Sequence, residues 1–302
     1  MRVTYNMFAD TVLRNIMANQ ERLEELQRQL TSGKRLTKPS DDPVAVSRAL
    51  GLRSTLASTE QYLRNVDAAV SWLNATDAAL ARVGDVLQRA RELAIQGAND
   101  TMGTNERQLI AAEVGQLIEN AVQLGNATYG NSYIFAGART QSKPFDYVAG
   151  AVVYNDADPV TATKLLEREV SPGVRVVVNV VGHDPVGGNA LFDQVFTALQ
   201  NLHAALQADD VNAIRSSLGG IDATQDTLLE ARASVGARVN RLEAAKDRLT
   251  DLQVNLSELR SSLEDVDMVE AISSFATAET VLKAALAAAG RSLPPSLLDF
   301  LR

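Results

Sequence analysis

Two histidines, no cysteine and an adjacent pair of aspartates between Pro39 and Pro43 make up much of the obvious chemical equipment of this 302-residue chain. Asp41 and Asp42 could hold a divalent cation or share a proton, but no third acidic residue lies close by in sequence to complete a ligand set. The pair sits between Ser40 and Pro43, where Asp42 suits a helix N-cap, Pro43 the first helical position, and Asp41 adds charge that favours a helix N-terminus. Capping is the stronger reading. His183, in Gly182-His183-Asp184-Pro185, reads as part of a turn, and His203, between Leu202 and Ala204, as a partly exposed helical residue rather than a base. Gly187-Gly188 and Gly219-Gly220 lack the preceding strand and following lysine of a phosphate loop and read as breaks between helices. Without cysteine there is no disulfide, no thiolate nucleophile and no sulfur-ligated metal. No catalytic, cofactor-binding or metal-binding residue is expected, and the chain reads as a non-enzyme.

The elements around these residues show a different use of sequence. Twenty-nine basic and 37 acidic side chains leave a net charge of −8 with no basic face, which argues against nucleic acid as a partner. The first 25 residues contain no apolar run that would serve a cleavable signal, and Val281–Gly290, the most apolar stretch, is too short to insert in a membrane. Prolines are absent between Pro43 and Pro144 and again between Pro185 and Pro294, through segments rich in Ala, Leu, Gln, Glu and Arg. An interior proline would cost a helix about 3 kcal/mol, so two long helical regions are expected. Between them, Phe145 to Gly187 holds 12 valines in 43 residues, punctuated by Gly150, Pro159, Pro172, Gly173 and Pro185. That composition predicts strands and hairpins. Six of the 14 aromatics, Tyr129, Tyr133, Phe135, Phe145, Tyr147 and Tyr154, lie in or just before it and mark a conventional core.

The helical flanks carry heptad patterns. Ala9, Val12, Ile16, Asn19, Leu23, Leu26 and Leu30 alternate spacings of three and four near the start, as do Leu242, Ala245, Leu249, Leu252, Leu256, Leu259, Leu263 and Val266 near the end. Such narrow seams are those of coiled coils, and antiparallel pairing of the first helix with the last is the simplest way to bury both. An ordinary intramolecular bundle and helices supplied by other subunits both satisfy the pattern, and periodicity does not choose between them. The expected fold is mainly α: a long helical bundle or coiled coil made by the N- and C-terminal segments, with a small β-rich central domain. It divides into an N-terminal assembly helix (1–40), a helical rod (41–144), a β-rich outer domain (145–187), the returning rod (188–250), and a C-terminal assembly helix and tail (251–302). Gly33, just past the last leucine of the first seam, is placed for a left-handed C-cap.

Four segments together resemble the flagellin superfamily, and within it the hook-associated branch found where hook meets filament (the FlgL type). Leu30–Ala45, LTSGKRLTKPSDDPVA, is similar to the N-terminal signature, with Gly33, Arg35, Pro39, Asp41, Asp42 and Pro43 as its turn. Filament flagellins usually have Ala-Lys-Asp-Asp or similar where this chain has Pro39 to Pro43, which favours the junction type. Asn131–Phe145, NSYIFAGARTQSKPF, Val235–Leu242, VGARVNRL, and the apolar tail Ser296–Leu301, SLLDFL, follow in the family's order. The prolines of Arg291–Pro295 depart from the family by stopping the last helix before that tail.

The resemblance implies a structural role without cofactors: terminal segments that are poorly ordered in the free subunit and pair as coiled coils in a tubular, extracellular assembly. The implied partners are copies of itself, the preceding hook-associated protein, flagellin, and an export chaperone on the C-terminal helix. Export is through the flagellar type III apparatus, without a cleavable signal peptide, and motility is the process served. On this reading the two seams are the assembly interface: Val12, Ile16, Leu23, Leu26 and Leu30, with Leu242, Leu249, Leu252, Leu256, Leu259, Leu263 and Val266. A filament flagellin is the alternative within the family, and an unrelated coiled-coil scaffold the alternative outside it. A ligand-binding module would instead place a small-molecule site among Tyr147, Tyr154 and His183.

Overall fold

In the computed structural model, residues 2–148, 150–155, 164–185 and 190–292 are described. The expected Pro294–Pro295 stop, the tail Ser296–Leu301 and the doublet Gly187-Gly188 lie outside them. Helices α1 (Arg2–Ser32), α2 (Pro43–Gly97) and α3 (Thr104–Gly125) are followed by three antiparallel hairpins. These are β1 (Thr128–Tyr129) with β2 (Ser132–Tyr133), β3 (Phe145–Val148) with β4 (Ala151–Tyr154), and β5 (Glu167–Ser171) with β6 (Val174–Val177). Helices α4 (Leu191–Gln207), α5 (Val211–Glu264) and α6 (Met268–Ser292) follow among the described residues. Mainly helical with a small central β region is therefore the observed class. None of the described helices is long and apolar enough to cross a membrane.

The chain divides into two compact units: Met1–Ser58 with Leu252–Arg302, and Thr59–Asp251. In the central unit, Thr59–Asp251, α2 and α5 run antiparallel, with Asp67 bonded to Lys246 (2.8 Å), Asp77 to Arg232 (2.8 Å) and Arg91 to Asp222 (2.7 Å). Between these pairs lie Leu73, Leu80, Leu87, Leu228, Val235 and Leu242, all buried, because the apolar positions of both helices recur on one face. Helix α3 packs on α4. The bulky anchors sit where strands meet α4: Phe135 and Phe145 are buried against Phe192 and Phe196, with ring centroids 4.7 to 5.7 Å apart. Asn126 holds β3 by imitating a strand, its amide donating to the Phe145 carbonyl (2.7 Å) and accepting from the Phe145 N–H (3.1 Å). Gly182 must be glycine, because a Cβ there would lie 2.8 Å from both Cβ and the carbonyl oxygen of Phe135.

Three expectations change. Gly219 and Gly220 do not separate helices; they lie inside α5. The break falls earlier, at Asp209, with a left-handed φ of 57°, and Asp210, whose carboxylate accepts from the N–H groups of Asn212 and Ala213. Second, the first proline-free stretch is not helical to its end: it breaks between Gly97 and Thr104 and leaves helix for good at Asn126. Third, the antiparallel partner of α1 is α6, whereas the seam Leu242–Val266 belongs mostly to α5. The reason is Asp267, whose carboxylate accepts from Val269 N (2.9 Å) and Glu270 N (3.2 Å) and so starts a new helix. The surface of α6 that is least exposed, Ala271, Phe275, Ala278, Leu282, Ala285 and Ala289, forms its own seam.

Candidate assembly interface

The sequence signature and the end of α5 meet in one place. Gly33 has φ +68°, the left-handed C-cap expected of it, and its carbonyl accepts from Val266 N (3.1 Å). Arg35 closes the C-terminus of α5 twice over: its backbone N–H donates to the Glu264 carbonyl (2.7 Å) and its guanidinium to the Leu263 carbonyl (3.0 Å). Those carbonyls have no partner within the helix, so the signature arginine satisfies them and adds a cation where the helix dipole is negative. Asp42 caps α2 through Val44 N (3.0 Å) and Ala45 N (2.9 Å), with Pro43 as its first residue. Asp41 differs from expectation. Its carboxylate closes the loop instead of the helix start, accepting from Thr37 N (3.0 Å), the Thr37 hydroxyl (3.1 Å) and Lys38 N (2.7 Å). The Lys38 hydrogen bond is the main reason its carboxyl lies below the usual range. Pro39 lies in this loop.

Glu264, which the sequence did not single out, is the hub of this turn. Its side chain is almost fully buried, and Oε2 accepts from Arg53 (2.7 Å) and Lys34 (3.2 Å) while Oε1 is buried without a partner. The Arg53 hydrogen bond, reinforced by Lys34, holds its carboxyl below the ordinary value against the opposing effect of burial. No local signal marks this residue: its partners lie more than 200 positions away.

The seam residues fall into two groups. Leu242 and Leu249, expected in the interface, are buried in the chain's own core. Leu252 and Leu259 are 41% and 55% exposed, and Leu256, Leu263 and Val266 are half-buried. On α1, Val12, Ile16, Leu23, Leu26 and Leu30 are likewise half-buried along one stripe. In the terminal unit, Met1–Ser58 with Leu252–Arg302, the apolar residues buried among those described are Ala45, Ala49, Leu56, Ala271 and Ala289, only one of them large.

Elsewhere the chemistry is structural. His183 Nδ1 meets Asp193 Oδ1 at 2.6 Å, its ring stacks on Tyr154 at 3.7 Å, and Asp193 also accepts from Asp184 N (2.9 Å). Burial, then the charge of Asp193, push the Tyr154 hydroxyl well above the usual phenol range, so it stays protonated. With His183 covering its ring, Tyr154 ties β4 to the start of α4. His203 is half-buried on α4, as expected. Among the described residues no group of His, Asp and Glu could hold a metal ion.

Comparison with known proteins adds independent findings. The family model for the bacterial flagellin N-terminal helical region matches residues 3–140, and that for the C-terminal helical region residues 218–301. Flagellar hook-associated protein 3 of Escherichia coli strain K12 is 27% identical over 299 residues, which cover 94% of each chain. A flagellin of Halalkalibacterium halodurans is 24% identical over 307 residues, covering 100% of both chains. Among solved structures, FlgL of Bacillus cereus has the same fold at a TM-score of 0.57 and 24% identity, covering 70% of this chain and 99% of its own.

Proposed function

The chain belongs to the flagellin family, and on that premise we propose that it is the adaptor between the hook-associated protein before it and the flagellin filament after it, arranged as a ring. As a member of this family it is a structural component of the flagellum, an extracellular assembly, where it associates with other flagellar components, and it is not an enzyme. One observation supports the reading most: the terminal unit presents apolar seams but buries one large side chain among its described residues. A helical unit without large core residues gains its stability by packing against others, here copies of itself, the preceding hook-associated protein and flagellin. The segments 1–40 and 251–302 are then the assembly helices, and α6 is the segment an export chaperone covers before secretion.

Deleting the gene should leave hooks without filaments and release flagellin into the medium; normal filaments would overturn the proposal. The full-length match to a flagellin favours a second reading, that the chain is itself the filament subunit. Seeded polymerisation of the purified chain separates the two, since micrometre-long polymers require a filament subunit and the adaptor forms none.

A further inference from the structure

The turn around Glu264 encloses a cavity of about 420 Å³ whose walls include Leu36, Val46 and Leu50, with Lys34, Lys38 and Arg53 against the one carboxylate of Glu264. A second cavity of about 580 Å³ adjoins it, sharing Ser32 and Thr37. The charge of Asp41 is already engaged by backbone N–H groups of its own loop. The groove is therefore apolar at its rim, where Leu50 is 57% exposed, and rich in cations at its walls, in a chain whose net charge is −8.

The matching surface occurs once more on the same unit. From Ser261 to Leu282 there is no lysine or arginine, while Glu264, Asp265, Asp267, Glu270 and Glu279 are acidic. At the start of α6, Val269 and Ile272, three residues apart and so on one helix face, are 80% and 55% exposed beside the exposed Asp267 and Glu270. We propose that the groove is a socket for the Asp267–Ile272 segment of a second copy of this chain. Val269 and Ile272 enter between Leu36, Val46 and Leu50, and Glu270 faces Lys38. Socket and plug are different surfaces, so each copy gives one and receives one; such head-to-tail contacts generate rings or open helical arrays rather than closed pairs. The inference rests on the assembly reading above and specifies the contact it uses.

The lack of native cysteine makes a direct test possible. Leu50→Cys and Ile272→Cys, both at exposed positions, are produced on separate chains in the same flagellated cells, and sheared flagella are oxidised. A disulfide between the two variant chains is expected, with none when either variant is present alone. Glu270→Lys on the Ile272→Cys chain should lower its yield by about tenfold or more, and Lys38→Glu on the Leu50→Cys chain should restore it. Leu50→Cys homodimers, a bond only to another flagellar protein, or sheared flagella that contain both chains without the mixed bond would each overturn the socket. Absence of the chain from sheared flagella would instead overturn the adaptor reading from which it starts.

Discussion

The two units of this chain are built from similar helices and end in opposite states. Thr59–Asp251 buries Phe135, Phe145, Phe192 and Phe196 with a ladder of leucines, whereas Met1–Ser58 with Leu252–Arg302 buries Leu56 and a few alanines among the described residues. The difference is one of side-chain volume: both carry apolar residues at helical spacing, but stabilisation scales with the apolar area removed from water, and alanine brings little. One unit is complete within the chain. The other leaves its apolar stripes only half-buried among the described residues.

Mutations can break or sharpen that contrast. Phe192→Ala should cost about 3–5 kcal/mol of unfolding free energy, measured by denaturant titration, because it empties the centre of the aromatic cluster; a loss below about 1 kcal/mol would mean that the central unit does not depend on its core. Gly33→Ala should cost about 1–2 kcal/mol locally, purely from left-handed strain, since no atom lies near enough to clash with a Cβ. Its effect should appear as faster hydrogen exchange at Val266 and Arg35, with exchange in α4 unchanged.

The Glu264 hub gives a pH-dependent form of the contrast. Its folded pKa lies below the ordinary glutamate value of 4.5, so its contribution is complete above that pH and disappears as pH falls through the lower folded value. Below about pH 4.5, hydrogen exchange corrected for its intrinsic rate should rise at residues 33–35 and 264–266. Glu264→Gln should remove this dependence, and a profile that it leaves unchanged would show that another group controls the turn.

The smallest effect on the free chain should come from Leu259→Asp. At 55% exposure it should shift stability by no more than about 0.5 kcal/mol, yet abolish incorporation into flagella, because only the assembled seam would bury the charge. Sedimentation of the purified chain and motility of the strain check the two halves; normal motility would show that this leucine faces no neighbour.

Much of this was readable from residue types alone. Gly33, Asp42 and Pro43 act through rules confined to a few neighbouring residues, and they fold as those rules require. The valine-rich stretch supplied β3 to β6 for the same reason. Gly219-Gly220 misled because a glycine in a helix costs only about 1 kcal/mol, which the packing of α5 on α2 overrides. The α6 seam escaped notice because four of its positions are alanine, which stands out in no hydrophobic pattern.

The sequence by itself determined the helical class, the central hairpins, the heptad stripes and the capped turn, since each depends on local backbone preference or short-range periodicity. Only the tertiary structure decided which stripe is spent where: that Leu242 and Leu249 are sealed inside while Leu252 and Leu259 face outward, and that α1 pairs with α6. It also decided that Lys34 and Arg53 converge on the carboxylate of Glu264, more than 200 residues away, while Arg35 closes the carbonyls of Leu263 and Glu264. Those outcomes depend on contacts between distant parts of the chain, whose energy no local spacing encodes.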